Sequence, residues 1–254
     1  MGGFSFASVI LSYFLIAGGL FFGILANYKL ASTSELVGLG LLAAGSFIGG
    51  FFAARASRGS TIVEPAIGGV LLVATLLGLA FGTSALDVLR SNAPVARWVG
   101  ELAGCVVIGA LIGALLSEKL FGEASRSAVP WLFYSAFASL GASIMALLVV
   151  AGVLVHGGRE HTEHQTTLMT VLGLAIGSLL AGLVIGASAR VRVAAASFLG
   201  GVIGIGLMGV MVAYQSHTMH DKEVWTGLAV FAVLGGILTV LGSIIGWVAV
   251  GKRA

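Results

Sequence analysis

Eight apolar runs, at about 6–28, 35–55, 62–83, 97–117, 130–155, 167–188, 193–214 and 225–250, each bounded by a short polar segment, leave this chain few ways to fold. A helix of about 20 apolar residues spans the roughly 30 Å of hydrocarbon in a bilayer. Charged residues make up only 9% of the 254 positions, against about 25% in a soluble domain. No soluble core could hide so much apolar surface under so few charges. The sequence therefore predicts an all-α, polytopic membrane protein of eight transmembrane helices. Its first run, over 4–26, has no positive segment before it and exceeds the apolar core of a cleaved signal, so it reads as a mature span.

A second regularity divides these runs. Residues 42–69 return at 174–201 without a gap: Leu42 matches Leu174, Gly45 Gly177, Ser46 Ser178, Gly50 Gly182, Arg58 Arg190 and Gly69 Gly201. This offset lays helices 2 and 3 on helices 6 and 7, and a one-residue shift lays Gly109 and Gly113 of helix 4 on Gly242 and Gly246 of helix 8. The expected organisation is two four-helix repeats, 1–120 and 128–254, joined by a polar seam containing Glu123, Ser125 and Arg126. Four helices return the chain to its starting side, so the repeats share one orientation about an axis along the membrane normal.

Positive charge sets that orientation. With the N-terminus inside, the internal segments hold Arg55, Arg58, Lys119, Arg126, Arg190, Arg192, Lys252 and Arg253. The other side holds Lys29, Arg90, Arg97, Arg159 and Lys222, accompanied by most of the acids. The excess of Lys and Arg places both termini in the cytoplasm, with the chain in a bacterial inner membrane. Because these cations are dispersed among loops and form no patch, the net charge of +3 does not point to nucleic acid.

Glycine is 39 of the 254 residues, about twice its usual share of roughly 7%. It recurs at four-residue spacing, as in Gly19 and Gly23, Gly100 and Gly104, Gly109 and Gly113, and Gly242 and Gly246. Residues four apart share a helix face, and such a pair lets another backbone approach closely, which in lipid supplies much of the attraction between helices. Most of these grooves are expected to pack the bundle itself. Gly242 and Gly246 on helix 8, then Gly109 and Gly113 on helix 4, are the candidates for a groove that faces outward to a partner.

Ionisable groups are nearly missing from the spans, although proton-coupled transporters and voltage sensors need them at depth. Glu64, ahead of Pro65 at the start of helix 3, reads as a first-turn acid favoured by the helix dipole, or as a partner of Arg58 or Arg190. Arg97 and Glu101 share a helix face and are expected to pair. All five histidines fall in two loops on the outer side: His156, His161 and His164 after helix 5, His217 and His220 after helix 7, beside Asp221. Imidazole and carboxylate suit Zn, Cu or Ni, so these six residues form the one candidate metal site; solvated, pH-responsive loop histidines are the simpler reading. No HExxH, paired cysteine or phosphate loop is present, and no catalytic group or cofactor is expected beyond that possible transition metal. Trp98, Trp131, Trp225, Trp247, Tyr13, Tyr28, Tyr134 and Tyr214 mostly lie near helix ends, where amphipathic rings favour the headgroup layer.

The stretches GSFIGGFFAARASRGS and GSLLAGLVIGASARVRV, each followed by a GGV-led apolar run, resemble uncharacterised families of small glycine-rich, four-helix prokaryotic membrane proteins. The resemblance implies a fused pair of such units and brings no activity with it. Three functions are then expected, in order. The first is a non-enzymatic subunit of a homo- or hetero-oligomeric membrane complex, in contact with lipid. The second is a channel or transporter for a small solute or ion, lined by Ser46, Ser143, Ser178 and Thr239. The third is an outer-face metal or pH sensor built on the histidine loops.

Overall fold

The structure is a computed structural model, and it describes residues 5–29, 35–57, 62–121, 129–156, 163–189, 193–215 and 222–251. Among these residues the chain is all-α. The helices are α1 (Phe6–Lys29), α2 (Glu35–Ala56), α3 (Val63–Phe81), α4 (Ala85–Ser91), α5 (Ala93–Phe121), α6 (Val129–His156), α7 (Glu163–Ser188), α8 (Ala194–Gln215) and α9 (Lys222–Gly251). Seven of them, α1, α2, α3, α5, α6, α7 and α9, are long and apolar enough to cross a membrane, the mark of a multi-pass membrane protein. In α8 a shorter apolar stretch, Ala194–Val210, meets the same description of composition.

The one element that sequence periodicity does not yield is α4. After α3 the chain breaks at Gly82, whose φ of 58° and ψ of −139° lie where only glycine is unstrained. A single 3-10 turn, Gly82–Ser84, leads into the short α4. Then Asn92 restarts the helix: its side-chain Oδ1 accepts from Val95 N–H at 3.3 Å, satisfying one of the orphan donors of a helix start. That cap explains why α5 begins at Ala93, ahead of the expected 97. Pro65, Pro94 and Pro130 all sit in first turns, where a missing N–H leaves no bond unmade.

The chain divides into two compact units, Met1–Ala124 with Ala151–Arg159, and Ser125–Val150 with Glu160–Ala254. In the first, α2 packs along α1 and α5, while α3 packs on α1 and α5; α2 and α3 barely touch. Glycines set these contacts. A Cβ on Gly45 would overlap the Gly19 carbonyl, and one on Gly49 would lie 2.6 Å from Ile16 Cα. Across the unit, a Cβ on Gly50 would overlap the Ala110 backbone, and one on Gly68 would lie 2.8 Å from Tyr13 N.

In the second unit α9 packs along α7 and α8, and α6 meets both: Gly177 lies against Ala142 and Ser143, and Gly200 and Gly204 against Ser135 and Ala136. Many large side chains point the other way. Ile112, Leu115, Leu172, Leu199, Ile237 and Ile245 are all exposed, so small residues fill the helix contacts and branched aliphatics cover the outside, as lipid solvent requires. Two of the expected headgroup anchors depart from this pattern. Trp131 and Tyr134 are each 4% exposed and stack edge to face at 5.4 Å, so they are core residues of α6.

Candidate functional site

The paired glycines singled out by spacing are occupied within their own units. Gly109 of α5 faces the Ala43 carbonyl of α2, 2.6 Å from where a Cβ would be, and Gly113 is pressed on Phe47. Gly242 and Gly246 of α9 are pressed on Leu179 and Leu183 of α7. The outward groove expected on α9 is therefore an inward one, and the same holds for its counterpart on α5. The sequence pairing of these helices also needs correction. Gly113 meets Phe47 and Phe51 as Gly242 meets Leu179 and Leu183, residues 132 positions on. Gly242 thus corresponds to Gly113, one helical turn from the match with Gly109 that the one-residue shift gives.

Other glycines are open. Among the described residues a Cβ on Gly100 or Gly104 would meet nothing within 4 Å, so the first half of α5 carries a paired-glycine face that no described helix fills. Beside it lies a shallow cleft lined by Glu35, Ala93, Pro94, Arg97, Trp98 and Glu101. The expected pair forms there: Arg97 Nε donates to Glu101 Oε1 at 2.7 Å, with the arginine side chain 74% exposed. Trp98, 57% exposed, stands at this end of α5 as a headgroup anchor would.

Glu64 is wholly buried at the start of α3. It accepts from the Ser5 N–H at 2.7 Å and from the Ser57 hydroxyl, tying the first turn of α3 to the chain before α1 and to the end of α2. Ser5, 59 positions away, is the partner that sequence spacing could not offer; Arg58 and Arg190 lie outside the described residues. In the second unit the positions 132 residues on from Glu64 and Ser57 are Ala196 and Ala189, which bring no such polar contact.

The second unit instead carries hydroxyls in its middle. Ser135, Ser139 and Ser143 recur every four residues on α6, and Ser178, Thr239 and Ser243 come from α7 and α9; all are 0–3% exposed. Ser139 Oγ and Thr239 Oγ1 are 3.5 Å apart, and Thr239 donates to the Gly235 carbonyl at 2.8 Å. Ser178 Oγ lies 3.4 Å from the Cβ position of Gly235. Among the described residues the Ser135, Ser143 and Ser178 hydroxyls have no hydrogen-bond partner, nor have those of Ser46 and Ser117 in the first unit. Three of the four residues expected to line a path between the halves, Ser143, Ser178 and Thr239, are thus interior to one unit, while Ser46 is buried in the other. One turn beyond Thr239, Ser243 lines a cavity of about 250 Å³ with Val193, Ala194, Ile244, Trp247 and Val248.

The candidate metal residues His161, His217, His220 and Asp221 lie outside the described residues, and of His156 and His164 only the helical backbone is described, at the end of α6 and the start of α7. Among the described residues no three His, Cys, Asp or Glu side chains come close enough to hold a metal ion. No protein-family model, curated protein or solved structure matches this chain.

Proposed function

We propose that the chain is a non-enzymatic, multi-pass subunit of a membrane complex, joined to a second copy or to another membrane protein through the first half of α5. The observation that carries this reading is the open pair Gly100 and Gly104. On the same helix Gly109 and Gly113 are filled by α2, whereas a Cβ at Gly100 or Gly104 would have no neighbour within 4 Å among the described residues. A groove of that width on a lipid-facing helix favours another helix over lipid, because backbone contact gains dispersion that mobile acyl chains match poorly.

In this proposal α8 is the eighth span, the two units descend from one duplicated four-helix ancestor in parallel orientation, and both termini face the cytoplasm of a bacterial inner membrane. The Lys and Arg bias of the connections supports that orientation. The test is the double variant Gly100→Leu/Gly104→Leu. Since neither site is occupied, the protein is expected to fold and melt as the parent does, but to run at a smaller assembled mass in native mass spectrometry from mild detergent. Unchanged mass with unchanged folding would remove the assembly reading.

A further inference from the structure

We propose that the cavity between the start of α8 and the end of α9 is a binding site for an anionic phospholipid, with a segment of acyl chain inside and the phosphate at its mouth. Val193 and Ala194 of α8 and Ser243, Ile244, Trp247 and Val248 of α9 line about 250 Å³. The space opens outward, since Ile244, Trp247 and Val248 are 36–48% exposed. Ser243, the one hydroxyl in the lining, already donates to the Val240 carbonyl at 2.9 Å. The other walls are aliphatic carbon and the Trp247 ring, so a polar solute would give up its hydration there for little in return. An apolar cavity of about 150 Å³ is enough to accept benzene, so this one accepts several methylenes of a chain.

An acyl chain alone does not make a site, because the cavity wall is no more apolar than the lipid around it. Charge supplies the selection. Both chain segments that leave the cavity turn basic at once: Arg192 directly precedes Val193, Arg190 directly follows Ala189, and Lys252 and Arg253 follow Gly251, the last residue of α9. Neither stretch holds an acid. Consecutive Cα atoms are about 3.8 Å apart, and each of the four cations is within two steps of a described residue, so none can leave this end of the unit. Basic pockets between spans take phospholipid headgroups. A lipid that carries its own ammonium brings charge that these cations repel, whereas an anionic one brings only the phosphate they attract.

The matching end of the first unit is built with acids. Carried on from the match of Gly242 with Gly113, Trp247 stands where α5 has Glu118, which is exposed. At the start of the other helix Ala196 stands where α3 has Glu64. The first unit thus sets two carboxylates at an end where the second sets a small side chain and a ring of the kind that favours the headgroup layer. An anionic headgroup is therefore favoured at the second unit over the first.

The experiment reads Trp247 fluorescence as the difference between the full chain and its Trp247→Phe variant, both reconstituted in phosphatidylcholine vesicles. Dibrominated phosphatidylglycerol or dibrominated phosphatidylcholine is then titrated in, and the brominated chain quenches a ring it touches. Quenching by the phosphatidylglycerol is expected to reach half its limit at a bilayer fraction on the order of tenfold lower than with phosphatidylcholine. Salt at about 1 M should narrow that gap. Ala194 is exposed, so Ala194→Phe should melt as the parent does, yet by filling the cavity it should remove the preference with every cation kept. Arg190→Gln/Arg192→Gln should weaken the preference with the cavity kept, and Lys252→Gln/Arg253→Gln repeats that arm should the first pair fold poorly. Equal half-points for the two lipids in the parent would overturn the site. So would a preference that survives the filled cavity, which would make the cations a diffuse belt, or one that survives both salt and loss of the arginines.

Discussion

Gly50 in the first unit and Gly182 in the second each receive the backbone of a neighbouring helix, Ala110 in one and Thr239 in the other. Around those shared contacts the interiors part company. The first unit places Ile16, Leu20, Ala110 and Ala114 beside them, with Ser12, Ser46 and Ser117 also buried, and among its described residues keeps one buried carboxylate, Glu64, at the starting end of α3. The second has no such carboxylate among its described residues and places Ser139, Ser143, Thr239 and Ser243 in the middle. Glycine contacts therefore fix where helices run, while the residues beside them remain free to differ.

The largest effect should come from blocking the shared contacts. Gly50→Leu and Gly182→Leu each drive a side chain into backbone that cannot turn aside. Overpacking alone costs about 1–3 kcal/mol, and both variants should reach or exceed the top of that range in detergent unfolding. A variant that melts normally would break the equivalence of the two contacts. Exchanging the residues that differ comes next. Ala110→Thr should cost about 1–3 kcal/mol by crowding a closed apolar site, whereas Thr239→Ala should cost about 1 kcal/mol or less. Equal losses on chemical unfolding would mean that the two interiors do not differ in kind.

Glu64 gives a smaller, one-sided test. Glu64→Ala leaves the Ser5 N–H and the Ser57 hydroxyl without this acceptor, an expected loss of about 1–3 kcal/mol. Glu64→Gln keeps a carbonyl for Ser5 and should recover most of it. If both substitutions melt like the parent, the polar end of the first unit is not structural. Arg97→Ala should leave the melting temperature unchanged, since an exposed pair on one helix gains little in water; a clear drop would tie the cleft to the fold.

Much of this was legible in the sequence. Polar breaks mark where spans end, so α2, α6 and α8 begin and end within about two residues of their expected limits, and the Arg97 to Glu101 pair follows from its spacing. What was not legible is which way each helix faces. Spans that are apolar all round carry no stripe to orient them, so Gly242 and Gly246 could be read as outward when α7 fills them, and Ser143, Ser178 and Thr239 as lining a gap between halves when they share one core. Trp131 and Tyr134 were misplaced for the same reason: nearness to a helix end does not say whether a ring faces headgroups or neighbours. Glu64 found its partner in Ser5, a backbone donor that no motif marks. The start of α5 could have been found from Asn92, a capping residue directly before a helix-compatible run.

The seats of α9 on α7 have one more property. Gly242 and Gly246 rest on Leu179 and Leu183, both counted in the same chain direction, so a slide of one turn, about 5.4 Å, would bring one glycine onto the other's seat. It would also bring either Leu238 or Val250 onto the seat left behind, where no Cβ fits. The pair is thus a key with a stop at each end, and α9 has a single register along its partner. On α5 the residues four before Gly109 and four after Gly113 are Cys105 and Ser117, whose Cβ atoms stop that pair in the same way, so each unit fixes the register of one helix along its partner.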